Sequence, residues 1–379
     1  MKFIHVSDLH LGKRLHETSL LEDQEVILQE ILSVIDREGA EGIFIAGDVY
    51  DKSVPSAEAV QLFDSFLVAL AERKLQVFVI SGNHDSPERI AFGGKIMGAS
   101  GIHLSPVYDG EVIALPLQDS YGEINVYMLP FIKPAHVRRY YAEEEINSYT
   151  DAVRVAISKM QVDKAKRNVL ITHQFVTGAT RSESEETVGG TDNVDASVFE
   201  GFDYVALGHI HGAQYCSKEN IRYCGTPLKY SFSEWNDRKS VTVLEFLSKE
   251  EGVKIQTVEL KPLRDLKKLT GTFAKLTDPD YYLNNPIVND YLQIILTDED
   301  DIPNAMQRLQ AIYKHALNLK YDNARTRADL DLFQADGLEQ KSSMELFEEF
   351  FRVQNNAEMT ETQRAYMQEL IESVEEGEV

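Results

Sequence analysis

The chain has 379 residues, 43% of them hydrophobic, which gives material for a sizeable core in two or three domains and excludes a wholly disordered protein. Its net charge of −24 excludes a protein that grips a polyanion by bulk charge. Over half of that excess sits late in the chain: 22 acidic and 9 basic residues from Gly271 onward carry −13, leaving −11 for the first 270 residues. No run approaches the roughly 18 apolar residues of a membrane span. The N-terminus reads as a strand rather than a signal sequence, so a cytoplasmic protein is expected.

In chain order, five apolar runs each end in a residue able to bind a metal. They are 3–10 (FIHVSDLH), 43–51 (IFIAGDVYD), 77–85 (VFVISGNHD), 169–173 (VLITH) and 204–211 (YVALGHIH). Short β-branched runs bounded by Gly or polar residues predict buried strands. Between them, apolar periodicity predicts helices over 20–37 and 56–73. Pro87 suits the first turn of a third helix over 87–97, with Asp85 or Ser86 as its cap; for Asp85 a capping role is weighed above one of supporting the metal ligands from behind. Short alternating strands follow over 102–130, then a helix over 151–162. A long polar segment, 177–195, separates the fourth and fifth runs, and a segment of that length inside a domain reads as functional or mobile. Strands are expected over 213–216, 221–224, 240–246 and 253–260. Cys216 and Cys224, the only cysteines, flank a turn at 217–220 and read as free thiols.

The expected organisation is a first domain over 1–265, a small α+β capping domain over 266–340 and a helical segment over 341–379. The cap is predicted as a strand (291–296), a helix (302–315) and a strand (317–321). The tail is predicted as two amphipathic helices. One carries Leu346, Phe347, Phe350, Phe351 and Val353 on one face, and the other opens with a Thr360–Gln363 capping box. Aromatic helices with no core behind them suggest docking to another protein, ahead of a helical hairpin folded back on its own chain.

Ligands in layered α/β proteins bind beyond the carboxyl ends of strands, and the candidates all fall there. Asp8, His10, Asp48, Asn83, His173, His209 and His211 offer carboxylate, imidazole and amide donors and no thiolate, a mixture that suits manganese, iron or zinc. Seven ligands are too many for one ion but suit two ions ~3.5–4 Å apart sharing one carboxylate. Asp48, in a Gly-Asp turn where backbone can approach closely, is the best bridge. Two aspartates and a hydroxide against two divalent cations leave a positive centre, fit for hydrolysing a phosphodiester without a covalent intermediate.

Asp-x-His, Gly-Asp-x-x-Asp, Gly-Asn-His-Asp, a lone His and Gly-His-x-His, in this order, resemble the calcineurin-like metallophosphoesterases over residues 1 to 260. The resemblance implies a four-layer αββα sandwich. Ser7–Lys13, the 184–194 loop, Phe202–His211 and Tyr223–Glu234 are similar, within that family, to the bacterial SbcD group of DNA-repair nucleases, and this similarity runs through cap and tail. It implies a manganese-dependent 3′-to-5′ double-strand exonuclease and single-strand or hairpin endonuclease, partnered by an SbcC-like coiled-coil ATPase. It also implies a homodimer formed near 56–73 and 87–97.

Residue by residue, the resemblance implies Asp8, His10, Asp48 and His211 on one ion and Asp48, Asn83, His173 and His209 on the other. His84 matches a non-ligand histidine that contacts the phosphate and protonates the leaving oxygen, a role suited to imidazole. Asp51 departs from the archaeal and eukaryotic relatives, which carry a histidine there. Its carboxylate is expected to hydrogen-bond His84.

His5 alternates with the core-facing positions of its strand and reads as structural, whereas His16, His103, His136 and His315 lack a partner pattern and read as surface or packing residues. Lys13 and Arg14 suit either a DNA backbone contact or a solvated loop. Two rival functions remain: a phosphatase or small-substrate phosphodiesterase on the same fold, and a catalytically dead scaffold for the ATPase. The intact donor set and His84 argue against the second.

Overall fold

The computed structural model describes residues 1–180, 193–323, 326, 343–355 and 358–375. The 184–194 loop singled out by sequence therefore lies outside the described residues, apart from its last two positions. The chain divides into two compact units, Met1–Lys268 with Asn289–Gln293, and Leu269–Val288 with Ile294–Val379.

The first unit begins with β1 (Lys2–Val6) and a two-residue hairpin, β2 (Arg14–Leu15) and β3 (Thr18–Ser19). β4 (Gly42–Ala46), β5 (Gln76–Ile80) and β6 (Ile102–Leu104) follow, then β7 (Leu115–Asp119), β8 (Gly122–Leu129), β9 (Arg167–His173) and β10 (Tyr204–Gly208). A hairpin, β11 (Gln214–Cys216) and β12 (Lys218–Tyr223), precedes β13 (Ser240–Phe246) and β14 (Val253–Glu259). They form two six-stranded sheets, ordered β14-β13-β1-β4-β5-β6 and β11-β12-β10-β9-β8-β7. Each has a parallel centre, β1 beside β4 and β5 in one and β8, β9, β10 and β12 in the other.

Side chains alternate across a strand, so each sheet has two faces to cover. Phe3, Phe44, Ala46, Phe78 and Ile80 of one sheet meet Val126, Val169, Ile171, Tyr204 and Ala206 of the other in a shared core. There Phe3 stacks on Phe44 at 4.6 Å between ring centroids. Ile43, Ile45, Val77 and Val79 point the other way and are fully buried, the face left for helices Leu21–Glu38 and Ala57–Glu72. On the second sheet, Tyr127, Leu170, Val205 and Leu207 pack with Ala152, Val153 and Ala156 of helix Tyr149–Ser158. The layers run helix, sheet, sheet, helix.

Two predicted helices come out shorter. The one expected over 87–97 breaks into Pro87–Ala91 and Gly94–Met97, because Phe92 turns extended and Gly93 adopts φ +75°. The one expected over 302–315 reduces to Ala305–Gln310, with Asn304 left-handed immediately before it. Cys216 and Cys224 are both buried and free, with Cys216 at the hairpin turn marked by Ser217 at φ +65°.

A three-stranded sheet follows in the order β15 (Leu266–Gly271), β16 (Tyr291–Leu296) and β17 (Ala316–Tyr321). Its first strand is an addition to the strand, helix and strand expected from sequence. In the second unit Phe273, Leu276, Ile294, Leu296, Leu309 and Tyr313 are buried. The tail holds helices Ser343–Asn355 and Glu361–Glu375. Thr360 N–H donates to Gln363 Oε1 (2.9 Å) and Gln363 N–H returns to Thr360 Oγ1 (3.3 Å), the expected capping box. No helix of the described residues is long and apolar enough to cross a membrane.

Candidate metal centre

The loops that leave β1, β4, β5, β9 and β10 converge at one edge of the sandwich. Asp8, His10, Asp48 and His209 all hold positive φ, at +53°, +45°, +48° and +104°. Such backbone is uncommon outside glycine and persists only where surroundings enforce it. Here the first two loops are zipped together. Asp8 N–H donates to Gly47 O and His10 N–H to Asp48 O, both at 3.0 Å, and Leu11 N–H to Val49 O at 2.9 Å. Buried Gln24 latches the first loop from behind, donating to His10 O (2.8 Å) and accepting from Gly12 N–H (2.9 Å).

Glycines make the approach possible. A Cβ on Gly82 would lie 2.1 Å from Asp48 Oδ1, one on Gly47 2.5 Å from His173 Nδ1, and one on Gly208 1.9 Å from the Ala46 carbonyl oxygen. The Gly-Asp, Gly-Asn and Gly-His pairs of the sequence thus exist to bring donors from separate strands together.

The predicted ligands form one cluster. Asp8, His10 and His211 group together, as do Asp8, Asp48 and His173, and His10, Asp48 and His84. His173 Nδ1–H donates to Ala46 O (2.8 Å), which fixes the tautomer and turns Nε2 toward Asp48 Oδ2 (3.3 Å) and Asn83 Oδ1 (3.0 Å). Asn83 Oδ1 also lies 2.8 Å from His209 Nδ1. Asp8 accepts from Ser7 Oγ and, with both carboxylate oxygens, from His209 N–H at 3.1 Å. His84 N–H donates to Asp48 Oδ1 (2.8 Å), and its ring stands edge-on to His10 with centroids 4.9 Å apart.

Burial dominates the electrostatics. It pushes Asp8 up to about 6 and His10 well below the imidazole range. Burial also opposes ionisation of Asp48 and His173, but each overrides it for the other. Asp48 is held well below the carboxylate range and His173 is raised to about 9. Both His10 ring nitrogens are buried without a hydrogen-bond partner among the described residues, 3.8 Å and 3.9 Å from the carboxylates of Asp48 and Asp51. A buried imidazole left unsatisfied in this way is poorly accounted for except as a ligand. Together with two carboxylates, an amide oxygen and no thiolate, it fits hard or borderline divalent ions.

Three residues differ from their sequence reading. The Asp51 carboxylate does not touch His84; it pairs with Lys13 Nζ (2.7 Å), and the Asp51 main-chain carbonyl meets His84 Nδ1 (3.0 Å). Asp85 is not the cap of the Pro87 helix, a place taken by Ser86. Its buried carboxylate instead accepts from the N–H groups of Val49 (3.1 Å), Tyr50 (2.9 Å) and Gly82 (2.9 Å), tying the second and third loops. Glu234, noticed only as the end of a motif, receives His211 Nδ1 on Oε1 (3.1 Å) and Lys239 Nζ on Oε2 (2.7 Å). Burial would raise Glu234, yet His211 and Lys239 bring it down to about 2. An acid following Tyr230 and Phe232, which alternate with serines, was the one available signal. Trp235, the chain's single tryptophan, follows Glu234 and is 43% exposed.

His5 and His103 are structural, bonded to the Tyr204 hydroxyl (2.9 Å) and Gln76 Oε1 (3.2 Å), and His136 accepts from Lys133 N–H at the start of its own helix (3.4 Å).

A layered α/β sandwich with clustered aspartate, histidine and asparagine donors at its strand ends defines a dimetal phosphoester hydrolase. Residues 1–213 match the calcineurin-like phosphoesterase family, and the chain belongs to it. Residues 262–355 match a domain described as the type 5 capsule protein repressor C-terminal domain. Along 98% of both chains the sequence is 31% identical to the SbcD subunit of the nuclease SbcCD from Staphylococcus epidermidis. Among solved structures, a dimetal phosphatase from Danio rerio aligns with 69% of this chain and 98% of its own at 12% identity, with a TM-score of 0.42. Yfce, a phosphoesterase from E. coli, aligns with 69% of this chain and 100% of its own at 13% identity, with a TM-score of 0.28.

Gly82→Ala should abolish tight binding of divalent ions while the protein still folds, because the new methyl group displaces Asp48; calorimetric titration with Mn²⁺ reads this directly. Ion affinity should rise from pH 6 to pH 9, since His173 must surrender its Nε2 proton, which Asp48 holds up to about pH 9, before it can act as a ligand. Titrations in buffers of different ionisation heat should record that released proton, and a pH-independent affinity would contradict the assignment.

Proposed function

We propose that this chain is the nuclease subunit of an SbcCD-type complex, hydrolysing DNA phosphodiester bonds in repair and recombination with two divalent ions, manganese by preference. The observation that carries the reading is the end-to-end similarity to a protein named as a nuclease subunit, in a chain whose donor cluster is complete. In this reading Asp8, His10, Asp48 and His211 hold one ion, and Asp48, Asn83, His173 and His209 the other. When bound, such ions lower the pKa of a water molecule and neutralise charge on the phosphoryl group.

The side chains account for the rest. Asp48 faces both donor groups and is the carboxylate they share. Glu234 fixes the ring of His211 and the Ala46 carbonyl that of His173, so both imidazoles keep one orientation. A carbonyl oxygen can only accept, so His84 keeps a proton on Nδ1 toward Asp51 O and presents Nε2 to substrate. From its imidazolium form it would donate the Nε2 proton to the departing sugar oxygen. Digestion as a 3′-to-5′ exonuclease on duplex ends, with endonuclease action on hairpins and single strands, belongs to the same reading, as do a homodimer and a cytoplasmic location.

With a net charge of −24 the chain needs a partner to supply basic surface for DNA. The two tail helices are proposed to dock an SbcC-like coiled-coil ATPase. Phe350 and Tyr366, exposed at 52% and 66%, are aromatic surface consistent with that use.

Linear and hairpin DNA should be cleaved by the wild type with Mn²⁺ and not after chelation, and His84→Gln should lower kcat by about 10²–10⁴-fold while keeping its metal content. Equal activity of wild type and His84→Gln, or hydrolysis of a phosphopeptide but not of DNA, would refute the reading. Removing residues 342–379 should abolish co-purification with the ATPase; retained binding would refute the docking role of the tail.

A further inference from the structure

Asp51 serves two neighbours with two different groups. Its main-chain carbonyl fixes His84, and its carboxylate holds the ammonium of Lys13 at 2.7 Å. The same carboxylate oxygen lies 3.9 Å from His10 Nδ1, so the lysine and the ligand histidine bracket one atom. Lys13 reaches this place through a tight turn, in which its N–H donates to His10 O at 3.0 Å. Its ammonium sits 5.7 Å from the centroid of the buried Tyr230 ring, and its side chain keeps 19% exposure. An ammonium has three protons to donate; Asp51 takes one, and a tyrosine ring face attracts the charge without consuming a donor.

We propose that Lys13 is a substrate-binding residue that donates to a non-bridging oxygen of the scissile phosphodiester, with Asp51 as its positioning residue. The inference deepens the phosphodiesterase reading above and rests on it. Three things favour this over a lysine that merely neutralises Asp51. Through Asp51 the ammonium is tied to the side of the cluster where His10 meets His84, and His84 is exposed there. It keeps partial exposure itself, so it is not sealed away from an incoming ligand. It is also held on both sides, by a carboxylate and a ring, which fixes a flexible side chain before substrate arrives and reduces the ordering that binding requires. A cation held in this way stabilises charge that develops on phosphoryl oxygens during attack.

The test compares wild type, Lys13→Met, Lys13→Arg, Asp51→Asn and the Asp51→Asn/Lys13→Met double variant, each loaded with Mn²⁺ and checked for metal content and Tm. Substrates are bis(p-nitrophenyl) phosphate and linear duplex DNA. Lys13→Met should lose about 10–100-fold in kcat/KM on both substrates at unchanged metal content, and Lys13→Arg should restore most of it. Asp51→Asn should lose less, and the double variant should be no worse than Lys13→Met alone, because Asp51 acts through the lysine. A loss confined to DNA, a loss that tracks metal content, or additive losses in the double variant would each overturn the proposal. If Lys13→Met does not fold, Lys13→Gln and its double variant with Asp51→Asn carry the same comparison. Wild type that hydrolyses the small diester but not DNA would refute the nuclease reading and leave the test of Lys13 intact.

Discussion

The metal centre depends on one close contact between two sheets. Packed sheets ordinarily stand about 10 Å apart, a gap filled by side chains. At that spacing the main chain of one sheet lies apart from the main chain of the other. Here the Ala46 carbonyl of the first sheet accepts from His173 of the second, and Gly208 leaves no Cβ to keep Ala46 away. Small residues at the carboxyl ends of the central strands pinch the sandwich at one edge, while Phe3, Phe44 and Phe246 hold it apart deeper in the core. Everything at the cluster follows from that wedge: one sheet supplies Asp8, His10, Asp48 and Asn83, and the other His173, His209 and His211.

Pinching brings like charges and buried imidazoles into low dielectric, and the surroundings compensate unevenly. Asp48 and His173 stabilise each other's charge, whereas His10 is left neutral and unsatisfied. Around this sits a ring of residues that never face the open side: Gln24, Asp85, Glu234 and Lys239. Each fixes a loop or a ring by hydrogen bonds to groups that would otherwise swing. The left-handed backbone at four donor positions is the strain this scaffold has to hold.

How much of this the sequence disclosed depended on the kind of signal. Strand-terminal donors were legible because a buried β run ending in Asp, Asn or His leaves a polar group where the strand meets solvent. The glycines beside Asp48, Asn83 and His209 were visible too, though not what they approach. Contacts through main-chain atoms were invisible. Nothing in the letter at position 51 says that its carbonyl, not its carboxylate, meets His84. Asp85 followed by Ser86-Pro87 offered two capping candidates, and only the loop fold decides that Asp85 turns inward. Glu234 and Lys239 act across the fold on His211, 23 and 28 residues earlier in the chain, a separation no periodicity encodes. Helix lengths failed where local backbone overrode apolar spacing, at Gly93 and at Asn304.

The chain's one tryptophan also has an optical consequence. Trp235 adjoins Glu234, whose carboxylate orients His211, and its indole is partly open to water. All of the protein's indole emission therefore originates one residue from a group that braces the donor cluster. Fluorescence of the unlabelled chain is a single-site signal, and loading or quenching at this edge of the sandwich can be followed by light without adding a dye.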